Sequence, residues 1–189
     1  RYRLDDLMQS LMGTVHETGH ARYEQNLPRE WLGQPLARAR SYGLHESQSL
    51  SFEMQLGAHP GFVAQLVPLL VEHFGAQPAF EAENLARMVT RVEPGLIRVD
   101  ADEATYPLHI ILRHRLERRL IAGELEVADL PGAWNDGMRE LLGIVPPDDR
   151  RGCLQDIHWP VAGFGYFPCY TLGAMLAAQL FNAAQAQVP

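Results

Sequence analysis

Cysteine is almost missing. Cys153 and Cys169 are the only two in 189 residues, and neither falls in a CxxC or other metal-ligand spacing. A cysteine-held metal site therefore finds no support, and a reducing compartment, the cytoplasm, fits best. Long apolar runs are missing too, since none approaches the roughly 20 residues that a membrane span needs. The Ala-rich stretch from Thr171 to Ala184 is interrupted by Gln179 and Asn182 and is expected as a buried helix. Positive charge is in deficit. Lys and Arg number 16 against 23 Asp and Glu, a net charge of −7, which argues against a general affinity for nucleic acid or anionic membrane. The local run Arg113, Arg115, Arg118, Arg119 lies in a helical pattern and reads as a solvated helix face. No internal repeat or low-complexity segment occurs. The chain opens Arg1-Tyr2-Arg3, with no initiator Met and no signal-peptide pattern, and so reads as a piece cut from something longer. Its length suits one domain, and 47% hydrophobic residues is ordinary for a globular protein.

What is present is helical punctuation. Leu4, Leu7, Leu11 and Val15 recur at helical spacing, so a helix is expected over Leu4 to Tyr23. Pro28, Gly33, Pro35 and Gly43 predict a loop, with a short turn around Trp31. Further helices are expected from Leu44 to about Leu56, Gly61 to His73, Pro78 to about Arg91, Pro107 to Ile121, Asp129 or Leu130 to Leu142 (entered through Pro131 and ended at Gly143), and onward from near Pro168. Leu96 to Ala101 alternates apolar and polar after Pro94-Gly95 and is the best strand candidate.

The most informative stretch is His16-Glu17-Thr18-Gly19-His20, the HExxH pattern. The i, i+4 spacing sets both imidazoles on one helix face, where one cation can bridge them, with Glu17 beside them. Zinc in a catalytic site takes three protein ligands plus a water, so a third ligand is owed. Leu44-His45-Glu46-Ser47-Gln48-Ser49, at the start of the next helix, offers it. Glu46 is the choice, with His45 the competing donor, because spacing alone does not separate neighbours.

Longer matches surround these residues. His16 to Gln25, His45 to Ser49, Ile97 to Glu103, Tyr106 to Arg113, Gly152 to Trp159 and Gly165 to Pro168 resemble, in order and spacing, the zinc carboxypeptidases of the carboxypeptidase Taq type. The resemblance implies zinc on His16, His20 and Glu46, with Co2+ or another divalent ion as the alternative, and Glu17 as general base. It implies Arg98 as the group that grips the substrate's free C-terminal carboxylate, with Gln48, Asp102 and Gln155 also on the substrate side. His158 would lie close to the metal, and Tyr170 would donate its hydroxyl to the oxyanion. The implied fold is mainly α, a helical HExxH metallopeptidase with a central groove and a few short β-strands lining the active site. The implied activity is release of single amino acids from peptides with a free C-terminus, in a cytoplasmic homodimer with neither nucleic acid nor membrane as partner.

The chain departs from the family pattern in places. Leu50 stands where the family has arginine after the HESQ motif, Gly57-Ala58-His59 replaces a Gly-Arg-Ser element, and Cys169 stands where threonine is commoner. The family's HPF and DxRxT motifs, the second of which carries another carboxylate anchor, would fall before residue 1. Residues 1–189 are thus expected to be a single catalytic-core segment of a longer carboxypeptidase. Two rivals follow: a related oligoendopeptidase or dipeptidyl carboxypeptidase, and an inactive metal-binding or dimerisation module.

Overall fold

The computed structural model describes residues 4–187, so the Arg1-Tyr2-Arg3 opening lies outside the described residues. The chain divides into two compact units, residues 1–91 with 172–189, and residues 92–171.

In the first unit, α1 (Leu7–Gln25) starts where the Asp6 carboxylate accepts the Gln9 amide at 3.0 Å, satisfying a backbone donor that the first turn leaves over. The chain then passes through two short 3-10 turns, Arg29–Trp31 and Pro35–Ala37, in the stretch where proline and glycine predict a loop. Ser41 caps α2 (Tyr42–Leu50) by accepting the Leu44 amide at 3.0 Å. A π-helical turn, Ser51–Leu56, carries α2 onward, with the Gly57 amide reaching back to the Phe52 carbonyl at 2.7 Å. The expected helix over 44–56 is therefore one continuous element that widens in its second half. α3 (Pro60–Phe74) and α4 (Ala82–Val89) follow, and Val63, Leu70 and Leu85 from these two helices form a small core. The helix expected from Pro78 is broken, because Glu81 adopts an extended backbone between a 3-10 turn and α4.

α1 and α2 meet at Gly19, the buried residue of α1. A Cβ placed there would stand 2.5 Å from the Gln48 carbonyl oxygen and 2.6 Å from the Ser49 Cα, so only glycine admits the α2 backbone. Gly173 likewise makes a close approach, to Glu46 itself. Its absent Cβ would meet the Glu46 Cβ at 3.0 Å and the Gly43 carbonyl oxygen at 3.1 Å. Gly173 belongs to α7 (Pro168–Gln187), whose residues from 172 onward lie in the first unit. The expectation of a buried final helix is corrected: Gly173 and Ala177 are buried, whereas Leu172, Met175 and Leu180 are exposed.

The second unit is built on α5 (Tyr106–Ile121) and α6 (Leu130–Leu142). Leu112 and Leu116 of α5 and Leu130, Trp134, Met138 and Leu142 of α6 enclose one core with Leu125 and Cys153. Gly143 ends α6 in the left-handed conformation, φ 73°, which L-residues other than glycine rarely adopt.

No strand occurs among the described residues, so the strand expected at Leu96–Ala101 is corrected to an extended lead-in and a 3-10 turn, Arg98–Asp100. The alternation misled because its faces are inverted. Arg98 points in, 6% exposed, while Val99 is 67% exposed. The arginine run is corrected as well. Arg115, Arg118 and Arg119 face solvent, but Arg113 is 0% exposed and its guanidinium lies 4.6 Å from the Trp134 ring centroid.

His109, also 0% exposed, sits one turn before Arg113 on α5. Burial first, then the charges of Arg113 and Arg98, push its imidazole down to about 4, with the Gly95 carbonyl and Asp156 opposing. The folded protein thus holds His109 neutral, while the unfolded chain protonates it near 6.5. Its contribution to stability is complete above pH ~6.5 and is lost as pH falls toward about 4, a change of about 3 kcal/mol. Thermal unfolding followed from pH 7.5 to 4.5 is expected to show this loss in the native protein and a flatter slope in His109→Gln. Parallel slopes would remove His109 as the titrating group.

Candidate metal centre

His16 and His20 stand one turn apart on α1, ring centroids 4.8 Å apart, and Glu46 enters from the first turns of α2. His16 Nε2 lies 3.7 Å from Glu46 Oε1, and His20 Nε2 lies 3.8 Å from Glu46 Oε2. One ligand atom from each of the three residues falls within 4.8 Å of the others. A tetrahedral ion with bonds of about 2.0–2.1 Å needs ligand atoms roughly 3.4 Å apart, so small side-chain adjustments suffice to close on one. The donor set, two imidazoles and a carboxylate, is the chemistry that zinc favours in catalytic sites. Glu17 follows His16 on α1 and is exposed.

The other ring nitrogens already have partners. His16 Nδ1 is 2.7 Å from Glu53 Oε2, in the π turn. His20 Nδ1 is 2.7 Å from His45 Nδ1, and His45 Nε2 is 2.8 Å from Glu24 Oε1. Both nitrogens of His45 are thus engaged, which takes it out of competition with Glu46. Burial pulls the His16 imidazole down, but the Glu53 hydrogen bond and the charges of Glu53, Glu46 and Glu17 carry it above its ordinary value. His20 is held below its ordinary value by burial and by His16 and His45. Gln48, the remaining residue of interest here, donates to Ser47 Oγ at 3.1 Å.

The other expected residues gather in the second unit around Asp156. Its Oδ1 accepts from Arg98 Nε at 3.0 Å and Nη2 at 2.8 Å, and its Oδ2 accepts from Arg113 Nε at 2.7 Å. Burial would raise the Asp156 carboxyl, yet Arg113 and Arg98 hold it below the usual carboxylate range. Burial brings Arg113 down to about 10, whereas Asp156 more than offsets burial at Arg98 and holds it above its ordinary value. Two guanidiniums thus share the one Asp156 carboxylate. Arg98, which the resemblance assigns to the substrate carboxylate, thus spends its Nε and Nη2 on Asp156. Arg98 also lies over the Tyr170 ring, 4.5 Å from its centroid.

His158 Nε2 is 3.0 Å from the Tyr170 hydroxyl, and its Nδ1 is 3.8 Å from Asp156 Oδ1. Burial, then Arg98, keep His158 below its ordinary value. Trp159, the next residue, donates to buried Glu117 at 2.8 Å, fixing the loop that carries His158.

Gln155 and Asp102 are occupied internally. Gln155 Oε1 accepts from the Arg98 amide at 2.9 Å and Arg113 Nη2 at 2.8 Å, while its Nε2 faces the Leu96, Arg151 and Gly152 carbonyls at 3.1 Å. Asp102 accepts the Ala104 and Thr105 amides at 2.9 Å, the Thr105 hydroxyl at 2.8 Å and the Glu93 amide at 3.0 Å, holding the turn into α5. These contacts support structural roles for both.

Sequence reasoning passed over Glu53, Glu24 and Asp156, and took Arg113 for a solvated residue. Glu53 and Glu24 carried local signals: Glu53 lies seven residues, two helical turns, after Glu46, and Glu24 lies four residues, one turn, after His20, so each returns toward the same face. No single helix among the described residues is long and apolar enough to cross a membrane; Pro35–Leu56 with Pro60–Phe74 passes by length and composition only as a pair bent by 73°.

The sequence matches the carboxypeptidase Taq (M32) metallopeptidase family over residues 1–189. Among curated proteins it is 46% identical to thermostable carboxypeptidase 1 of Thermus thermophilus, covering 100% of this chain and 37% of that protein. Carboxypeptidase 1 of Bacillus subtilis is 42% identical, over 95% of this chain and 36% of its own length. The fold matches metallocarboxypeptidase 1 of Trypanosoma cruzi with a TM-score of 0.93 at 49% identity, covering all of this chain and 39% of that one. The Pyrococcus furiosus carboxypeptidase gives a TM-score of 0.95 at 40% identity, over 100% and 38% of the two chains. The chain therefore spans less than two fifths of the length of these relatives. With a His-His-Glu group arranged for a metal and a match running from its first residue to its last, the chain belongs to the carboxypeptidase Taq (M32) family of metallopeptidases.

Proposed function

We propose that this chain carries the catalytic core of a zinc carboxypeptidase, which removes single amino acids from the free C-terminus of peptides. The observation that carries the reading is the convergence of His16 Nε2, His20 Nε2 and the Glu46 carboxylate, with Glu17 adjacent on the same helix. A divalent ion held by these three residues supplies Lewis acidity to the scissile carbonyl and to a water beside it.

The chain's own residues do the rest. Glu17 accepts the proton of the attacking water as its oxygen bonds to the carbonyl carbon. As the C–N bond breaks, Glu17 returns that proton to the leaving amine. The family resemblance gives the Tyr170 hydroxyl, which lies 3.0 Å from His158 Nε2, the part of donor to the developing oxyanion, a type of contribution worth about 2.7–4 kcal/mol where a single donor has been removed. The family resemblance gives Arg98 the substrate's free carboxylate, to which a guanidinium offers charge-assisted hydrogen bonds, and Asp156 holds that guanidinium in place. Two cysteines with no disulfide between them accord with a cytoplasmic enzyme, and a homodimer rests on the family resemblance.

Hydrolysis of a peptide by the intact protein, with free and with C-terminally amidated substrate, tests this. Release of the last amino acid from the free peptide alone, lost with a chelator and restored by zinc, is expected. Equal cleavage of the amidated peptide would favour an oligoendopeptidase, and no turnover with zinc bound would favour the inactive module.

A further inference from the structure

Each candidate metal histidine is backed by a hydrogen-bond string that ends on a carboxylate, and the two strings differ. His16 reaches Glu53 directly, at 2.7 Å, whereas His20 reaches Glu24 through an intervening imidazole, His45, by steps of 2.7 and 2.8 Å. We propose that Glu53, and the His45–Glu24 pair, are positioning residues that fix His16 and His20 as Nδ1–H tautomers with Nε2 turned to the metal. The inference rests on the metal centre proposed above.

Proton accounting leaves one arrangement. A metal needs an unprotonated nitrogen, and in both histidines Nε2 is the atom facing Glu46. Nδ1 of each ring must then carry the hydrogen. The His16 Nδ1–H donates to Glu53, which as a carboxylate only accepts. The His20 Nδ1–H donates to His45 Nδ1, which must be an acceptor and leaves the His45 proton on Nε2, where the Glu24 carboxylate accepts it. Every donor in the two strings meets an acceptor only in this state. The His20 and His45 rings lie 4.6 Å apart, and Tyr23 meets His45 edge-on at 5.2 Å, so the relay imidazole is held in place by its neighbours. Hydrogen bonds of this kind orient a ligand ring and raise its basicity.

Zinc affinity, measured by competition with a chromophoric chelator, and the visible spectrum of the cobalt-loaded protein test the proposal in the intact protein. Glu53→Ala and His45→Phe are each expected to weaken zinc binding by roughly 10- to 100-fold and to alter the cobalt bands. Glu53→Gln and His45→Asn keep an acceptor oxygen near the same point, and recover most of the affinity and the native spectrum. Thermal unfolding in chelator reports separately whether each variant is folded without metal. If the Ala and Phe variants bind as the native protein does, or if the Gln and Asn variants lose as much as they do, the positioning role is overturned. Failure of the native protein itself to bind zinc overturns the metal centre, and this inference with it.

Discussion

Replacing Glu17 by Gln is expected to cut peptide hydrolysis by roughly 10²–10⁴-fold or more while bound zinc stays at its native content. The amide has nearly the size of the carboxylate but cannot accept the water's proton and pass it to the leaving nitrogen. In the proposed centre the ligand atoms come from three other residues, His16, His20 and Glu46, so the exchange leaves the ion's coordination alone. Glu17 is also exposed and fills no part of a core, which separates a chemical effect from a folding one. Zinc content per chain and kcat on a peptide with a free carboxylate are the paired measurements. Appreciable turnover by the zinc-loaded variant would remove Glu17 as the base.

The second large effect is on stability, at Asp156. Its carboxylate holds two guanidiniums, of which Arg113 is wholly buried and Arg98 nearly so. Asp156→Ala leaves both charges in a low-dielectric interior without a counter-ion. Breaking one such pair costs about 3–5 kcal/mol, which in a chain of this size lowers Tm by roughly 6–20 °C. Asp156→Asn keeps the shape and one acceptor oxygen, and should lose less. Because Arg113 and Arg98 hold the native carboxyl below its usual range, its contribution is present above pH ~3.9 and is lost as pH falls through the lower folded value. That window lies on the acid side of the one set by His109. A native-like Tm in Asp156→Ala would mean that the ion pairs do not hold the unit together.

Features that depend on near neighbours in the chain could be read directly. Pro131 and Gly143 bracket α6 as expected, because proline suits a first helical turn and glycine a left-handed end. The two imidazoles of HETGH share a face by helix geometry alone, and the need for a third ligand pointed to the neighbours Glu46 and His45 without separating them. Contacts between distant residues were hidden. Arg98 owes its inward turn to Asp156, 58 residues later, so the pattern around Leu96 to Ala101 looked like a strand whose apolar residues face in. Arg113 looked solvated for the same reason. His45 resembled a ligand because spacing does not tell which way a ring turns; its contacts with His20 and Glu24 decide that.

Gly19 bears on any attempt to transplant this centre. A designer who copies His16, Glu17 and His20 onto a helix of another scaffold, and a glutamate onto its neighbour, has copied the chemistry without the clearance. The glutamate reaches the imidazoles here because the second backbone passes where a side chain at position 19 would stand, with a carbonyl oxygen 2.5 Å from the missing methyl. The minimal portable unit is therefore HExGH opposite a glutamate-bearing helix, and a host with alanine at the fourth position would hold its helices too far apart to close on an ion.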